Sequence, residues 1–276
     1  MEVGRHKEKK KEWKLGEKTL ENCKSYNNLG EIITRDGKND ENLKARYNKV
    51  RSTVKAINTC GKGRIMRRIE VEVLITLHDA VTLPTLLYNS ETWPLNATIR
   101  KELDKMKIWA WKSMLGLPKT TPTAAVMFAT GGLYASIRVQ IKQLIYLHKL
   151  LQKPEDHWTR TTLKSLRRHN IGWAKQVQEN LEEWELETNW DVIGTKSANE
   201  WKRRVYETAE RKNKQKILEG FKKVRGESNI KTKRKSLIPI LEDENFARKP
   251  RPFIYLKTGA IFTSVQIMDS IIKLYC

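Results

Sequence analysis

Cysteine is scarce in this chain: 276 residues contain three, Cys23, Cys60 and Cys276. Three scattered thiols build neither a disulfide framework nor a Cys-x-x-Cys zinc site, and they fit a reducing compartment, so an intracellular protein, nuclear or cytoplasmic, is expected. No stretch is long and apolar enough for a membrane-spanning helix, which needs about 18 apolar residues or more. The opening MEVGRHKEKKKEWK lacks the apolar segment of a secretory signal. No membrane partner is expected.

The residues of catalysis are also thin. Two-metal polymerases hold magnesium with converging carboxylates, commonly an adjacent aspartate pair. No Asp-Asp occurs here. Asp40-Glu41 opens a predicted helix, where the dipole explains it, and Glu242-Asp243-Glu244 reads as a solvated loop. His6, His78, His148, His157 and His169 show no His-x-x-x-His spacing and no nearby cysteine, so zinc has no site. His78 and His148 fall in apolar helical segments and read as core or boundary residues. Neither a phosphate-cradling glycine loop nor a G-x-S-x-G frame is present. The inventory is that of a protein that is not an enzyme and needs no cofactor, no metal and no small-molecule substrate.

Positive charge is abundant. Lys and Arg number 54 against 32 Asp and Glu, a net +22, and such an excess points to a polyanion, nucleic acid first. The charge is uneven. Residues 151–200 lean acidic and residues 201–250 strongly basic. From Lys105 to Pro154 there is no acid at all, only Lys105, Lys107, Lys112, Lys119, Arg138, Lys142, Lys149 and Lys153. Such a segment predicts a one-sided field for a phosphate backbone, unless it is a solvated surface that happens to lack acids.

The pattern along the chain is mainly α, a helical bundle with a small N-terminal β-hairpin element. Trp13-Lys14-Leu15, a turn at Gly16-Glu17 and Lys18-Thr19-Leu20 read as a hairpin. Extended pieces follow through Cys23 and Tyr26 and over Leu29–Ile33, closed by the turn Arg35-Asp36-Gly37. Helical periodicity begins at Asn39, with Leu43, Tyr47, Val50, Val54 and Ile57 on one stripe. A helix over 64–82 is apolar around most of its girth, predicting a central position with Leu74 and Leu77 buried, and Leu83-Pro84 should bend or restart it. Asn96 caps a helix to about Leu115. Thr121-Pro122 starts a short helix that ends at Gly131-Gly132. Further helices are expected at about 134–151, 156–168, 172–187 and 197–219, the last with a capping box at Ser197-Ala198-Asn199-Glu200. The expected organisation is a β element at 1–38, a helical bundle at 39–118, more helices at 119–225, and a basic, poorly ordered segment at 226–276.

Three basic groups are candidates for phosphate contact: Lys44, Arg51 and Lys55 on one helix flank; Arg64, Arg67 and Arg68; and Lys101, Lys105 and Lys112 at i, i+4 and i+11. The same rows would also serve simply to solvate a bundle. Of nine tryptophans, Trp109 and Trp111 beside the last row are the best candidates for base stacking.

The order Trp13-Lys14-Leu15, Tyr26-Asn27-Asn28-Leu29-Gly30, Ile32-Ile33-Thr34-Arg35-Asp36-Gly37, Leu83-Pro84-Thr85-Leu86-Leu87-Tyr88-Asn89-Ser90-Glu91-Thr92-Trp93 and Met114-Leu115-Gly116-Leu117 resembles the C-terminal part of reverse transcriptases of non-LTR (LINE-type) retrotransposons. The resemblance is close over about residues 12–118 and looser to about 220. It implies a primer-grip remnant at Tyr26, Leu29 and Gly30 and a thumb over 39–116. Asn28 stands where that family usually has an aromatic. The family's fingers and catalytic aspartates have no counterpart in this sequence, so the resemblance implies a non-catalytic remnant of an RNA-directed DNA polymerase, the product of a 5′-truncated element. Its partner would be the backbone of a duplex or RNA–DNA hybrid, bound without sequence preference. Two other readings are a product without function and a helical protein-interaction scaffold, using the acidic stretch Glu179, Glu182, Glu183, Glu185, Glu187 and Asp191.

Overall fold

A computed structural model describes residues 13–20, 23–62, 71–226, 253–255 and 261–263. The fold is mainly helical, with short antiparallel strand pairs. Strands β1 (Trp13–Leu15) and β2 (Lys18–Leu20) form the expected hairpin. A second hairpin pairs β3 (Ser25–Asn28) with β4 (Glu31–Thr34) in the register Tyr26↔Ile33. Its turn is Leu29-Gly30, both at positive φ, 48° and 80°. That is the backbone of a type I′ turn, whose twist suits a two-residue hairpin. Leucine is a strained choice there, because its Cβ crowds the following carbonyl.

Helix α1 (Asp40–Lys62) follows, with Asp40 and Glu41 in its first turn. Residues 63–70 lie outside the described residues, and with them the first part of the expected 64–82 helix. The rest differs from expectation in two ways. Helix α2 (Val71–Leu77) passes through a π-helical turn, His78–Thr82, straight into α3 (Leu83–Leu86). The Leu83 N–H returns to the His78 carbonyl, a five-residue step. Proline at 84 has no N–H to give, and the widened turn accommodates it without ending the helix. Nor is this run central. Val73 and Val81 are exposed and Leu77 is half-buried, although Leu74 is buried.

Helix α4 (Ala97–Met114) starts as expected, the Asn96 side chain accepting the Ile99 N–H at 2.9 Å. Helix α5 (Thr123–Thr130) has Pro122, not Thr121, at its N-cap. The central element is α6 (Ala135–Leu151), buried around most of its circumference. Ala135 and Val139 join a core made by α1, α2, α3 and α4. Ile137, Ile141, Leu144 and Leu147 join a second core on its other side. Polar residues on so buried a helix need partners. Gln143 donates to the Trp93 carbonyl at 2.8 Å and accepts from Asn180 at 3.0 Å.

The second core is closed by α7 (Trp158–Arg168), α8 (Gly172–Glu183), α9 (Trp190–Thr195) and α10 (Ala198–Gly226). Helix α9 has only six residues and no periodicity to betray it. On α10 the buried residues recur every fourth position: Trp201, Val205, Ala209, Asn213 and Ile217. A four-residue ridge of this kind drops into the grooves of crossing helices, here α6 and α5. At Gly220 the crossing is so close that an added Cβ would lie 2.8 Å from the Ala124 Cβ. Asn213 and Lys216 then reach the other elements. Asn213 accepts the Tyr134 N–H and donates to the Gly132 carbonyl. Lys216 pairs with Asp104, which also accepts the Ser136 N–H and hydroxyl and so caps α6 from α4.

Strands β5 (Phe253–Tyr255) and β6 (Ile261–Thr263) pair with each other, where the sequence offered no partner. Beyond Gly226, the end of α10, the rest of the basic 226–276 segment lies outside the described residues. Among the described residues, no helix is long and apolar enough to cross a membrane.

Candidate nucleic-acid interface

Helices α1 and α4 lie side by side. Asn58 donates to the Ser113 hydroxyl at 2.9 Å, and the charges felt by Tyr47 are those of Glu102 and Asp104. The early turns of one helix therefore meet the early turns of the other, and the two run parallel. At about 100° per residue, Tyr47 and Asn58 lie roughly 50° round α1 from its buried Leu43–Val54 line, and Lys44, Arg51 and Lys55 roughly 50° further. On α4, Glu102 and Ser113 lie roughly 80° from the buried Leu103–Ala110 line, and Lys101, Lys105 and Lys112 roughly 90° beyond them. Core, contact seam and basic row thus follow in the same order on both helices. Both rows border one outer surface.

Lys44, Arg51, Lys55, Lys101 and Lys105 are exposed on it. Lys105 reaches Glu102 at 3.5 Å, an exposed pair of little strength. The other four have no carboxylate partner among the described residues. Trp109, 38% exposed, lies between the seam and the α4 row. From Lys44 to Lys55 the α1 row covers about 16 Å, the rise of roughly five base pairs.

Other candidates are placed differently. Lys112 is half-buried and donates to the Lys119 carbonyl at 2.8 Å, and burial pushes its ammonium down. Trp111 is fully buried, stacked on His78 with ring centroids 4.1 Å apart, so it cannot stack on a base. Arg64, Arg67 and Arg68 lie outside the described residues.

The acid-free stretch is not acid-free in space. Lys107 is 1% exposed and donates to the Leu133 carbonyl. Arg138 meets Asp79 at 3.3 Å and Lys142 meets Glu91 at 3.3 Å. Helices from elsewhere in the chain bring the acids, and the one-sided field expected for Lys105–Pro154 shrinks to the lysines left at the surface.

Tyr26, Leu29 and Gly30 do come together on the second hairpin. Tyr26 and Leu29 are exposed, and the turn is held from behind. The Tyr88 hydroxyl donates to the Leu29 carbonyl at 3.0 Å, and Arg46 donates to the Gly30 carbonyl at 2.6 Å. Trp93 and Asn89 both donate to the Glu31 carboxylate. Arg46 is buried, which pulls its guanidinium below its ordinary value against the opposing charge of Glu31. Arg46 has no place in the basic rows, and Lys107 counts there only as part of the acid-free stretch, yet both carry a signal of burial. Each interrupts the apolar face of its helix, three or four residues from buried neighbours, and a charge there must find a partner.

No protein-family model, curated protein or solved structure matches this chain. Among the described residues, no group of three or more His, Cys, Asp or Glu is placed to hold a metal ion.

Proposed function

We propose that this protein binds the sugar-phosphate backbone of duplex nucleic acid, RNA–DNA hybrid included, without sequence preference and without catalysing a reaction. In this reading it corresponds to the primer-grip and thumb portion of a LINE-type reverse transcriptase. The observation that carries the reading is the pair of basic rows on α1 and α4, which border one outer surface of two parallel helices with an exposed tryptophan between them. Cations fixed on packed helices meet several phosphates with little further ordering cost. The hairpin at 25–34, held by Arg46 and Tyr88 at the edge of the same bundle, is where a primer terminus would rest. The acidic stretch gives the scaffold reading less support, because Glu183 and Glu185 already meet Arg100, Arg211 and Lys212 of the same chain.

The test is a salt titration of binding to duplex DNA, duplex RNA and a hybrid. Each lost phosphate contact lowers the slope of log K against log salt by about 0.9 on duplex DNA. The combined variant Lys44→Ala/Arg51→Ala/Lys101→Ala/Lys105→Ala should therefore lose roughly 2 to 4 units of slope. An unchanged slope rejects the surface.

A further inference from the structure

Outside that surface, among the described residues, the largest exposed aromatic side chain is Trp158, 73% exposed at the first position of α7. At about 100° per residue, Trp158, Thr161, Thr162, Ser165, Arg168 and His169 form one outward face, and all six are exposed. The helix itself contains no acid. Its other cations have partners within the chain, although Lys164 and Arg167 are exposed. Arg160 and Lys164 share the Glu155 carboxylate, at 3.4 and 3.3 Å, and Arg167 lies 4.8 Å from the centre of the Trp190 ring. Arg168 has no carboxylate partner among the described residues. The His157 ring stacks beside Trp158 at 6.0 Å, with 25° between the planes. Asp156, two residues before the helix, is exposed.

We infer that this face of α7 is a second nucleic-acid site, one that takes a single strand by stacking a base on Trp158 and holding backbone phosphate with Arg168. An amphipathic helix that lies on a membrane needs a broad apolar face, and a helix that docks in a protein groove needs apolar anchors at i, i+3 or i+4 and i+7. Here one large aromatic is followed by hydroxyls and cations. That combination suits a strand whose bases are free to stack. Trp158 and Arg168 stand ten positions apart, about 15 Å along the axis, enough for a few nucleotides. A duplex offers no free base face, so the site discriminates where the α1/α4 surface does not. It does not depend on that surface.

The experiment uses the full chain and the variants Trp158→Ala, Trp158→Phe and Arg168→Ala. Because Trp158 is so exposed, its removal leaves the fold intact, which circular dichroism checks. The probes are an oligothymidylate of about 20 nucleotides, a duplex of the same length and vesicles rich in anionic lipid. Trp158→Ala should weaken the oligothymidylate by about 5- to 150-fold. Duplex affinity should stay put, and Trp158→Phe should recover most of the loss. Arg168→Ala should weaken the oligothymidylate and lower its salt slope by about 0.7. Unchanged oligothymidylate affinity in Trp158→Ala overturns the inference. So does an equal loss on the duplex, or a loss confined to vesicles, which makes the face a membrane contact. If only the four-fold α1/α4 variant fails its own test, the single-strand site stands alone.

Discussion

The guanidinium of Arg46 sits 4.5 Å above the centre of the Tyr88 ring, and together the two residues close on the adjacent carbonyls of one turn, Gly30 and Leu29. The backbone of the hairpin tip is fixed while its leucine side chain, 85% exposed, is pushed into water. A buried cation contributes here by positioning a strained turn at the surface.

Leu29→Asn should therefore stabilise the protein. Asparagine tolerates the left-handed conformation, Asn-Gly is the favoured type I′ pair, and leucine there costs about 1–2 kcal/mol. A urea midpoint that corresponds to a gain of about 1 kcal/mol is expected. If Leu29 also touches a bound duplex, affinity should fall while stability rises, and measuring both on one sample separates the roles.

Gly220→Ala should destabilise despite better helix propensity. The propensity gain is about 1 kcal/mol. The new methyl would sit 2.8 Å from the Ala124 Cβ, which is fixed to its own backbone, so the helices must separate, at a typical overpacking cost of about 1–3 kcal/mol. Ala124→Gly in the same chain should remove the penalty. A melting temperature that rises in the single variant shows that α5 and α10 cross less closely.

Stability should fall as pH drops through the histidine range. Burial holds His78 below its ordinary value; the hydrogen bond that His78 donates to Asp79 opposes this, and the charges of Lys107 and Arg138 add to it. The unfolded chain takes up a proton near pH 6.5 that the folded chain refuses, so the folded state loses ground from there downward. Asp79 is held well below the carboxylate range: burial opposes the charge, but the His78 hydrogen bond and the Arg138 and Lys107 charges outweigh it. Its loss comes only in stronger acid. Urea midpoints for the wild type and His78→Asn between about pH 7.5 and 5 test this. The variant should show a flatter profile, whatever its absolute stability, and parallel profiles would place the titration elsewhere.

Lys112→Ala should leave the salt slope on duplex DNA unchanged, in contrast to Lys101→Ala and Lys105→Ala at about 0.9 each. Its amine is committed to the Lys119 carbonyl. A drop equal to that of its neighbours means that the amine swings out to meet phosphate.

Much of the bundle was legible because helix periodicity and caps are local. Leu43, Val50 and Val54 lie on one stripe of α1, and Asn96 caps α4, as their spacing alone requires. What sequence could not reveal depends on distant partners. Pro84 argues for a bend or a restart, and only the π turn behind it shows how α3 follows on directly. Trp111 beside a lysine row reads as a stacking platform until His78, from another helix, covers it. Lys107, Arg138 and Lys142 read as an uncompensated field until Leu133, Asp79 and Glu91 reach them. The exposed lysine rows were legible as rows. Their common outer surface needed the Asn58–Ser113 contact, across 55 positions.

The clasp that α10 makes on the bundle also sets the order of events when the chain folds. Tyr134 waits for Asn213 across 79 positions, and Asp104 for Lys216 across 112. Long closures of this kind slow folding. At about 5–20 residues per second of synthesis, Asp104 emerges roughly 5 to 25 s before its lysine. Through that interval the second core lacks the helix that covers it. A nascent chain is therefore most exposed to proteases and to association after α6 has emerged and before α10 has, and pulsed proteolysis of stalled chains should find its most sensitive intermediates there.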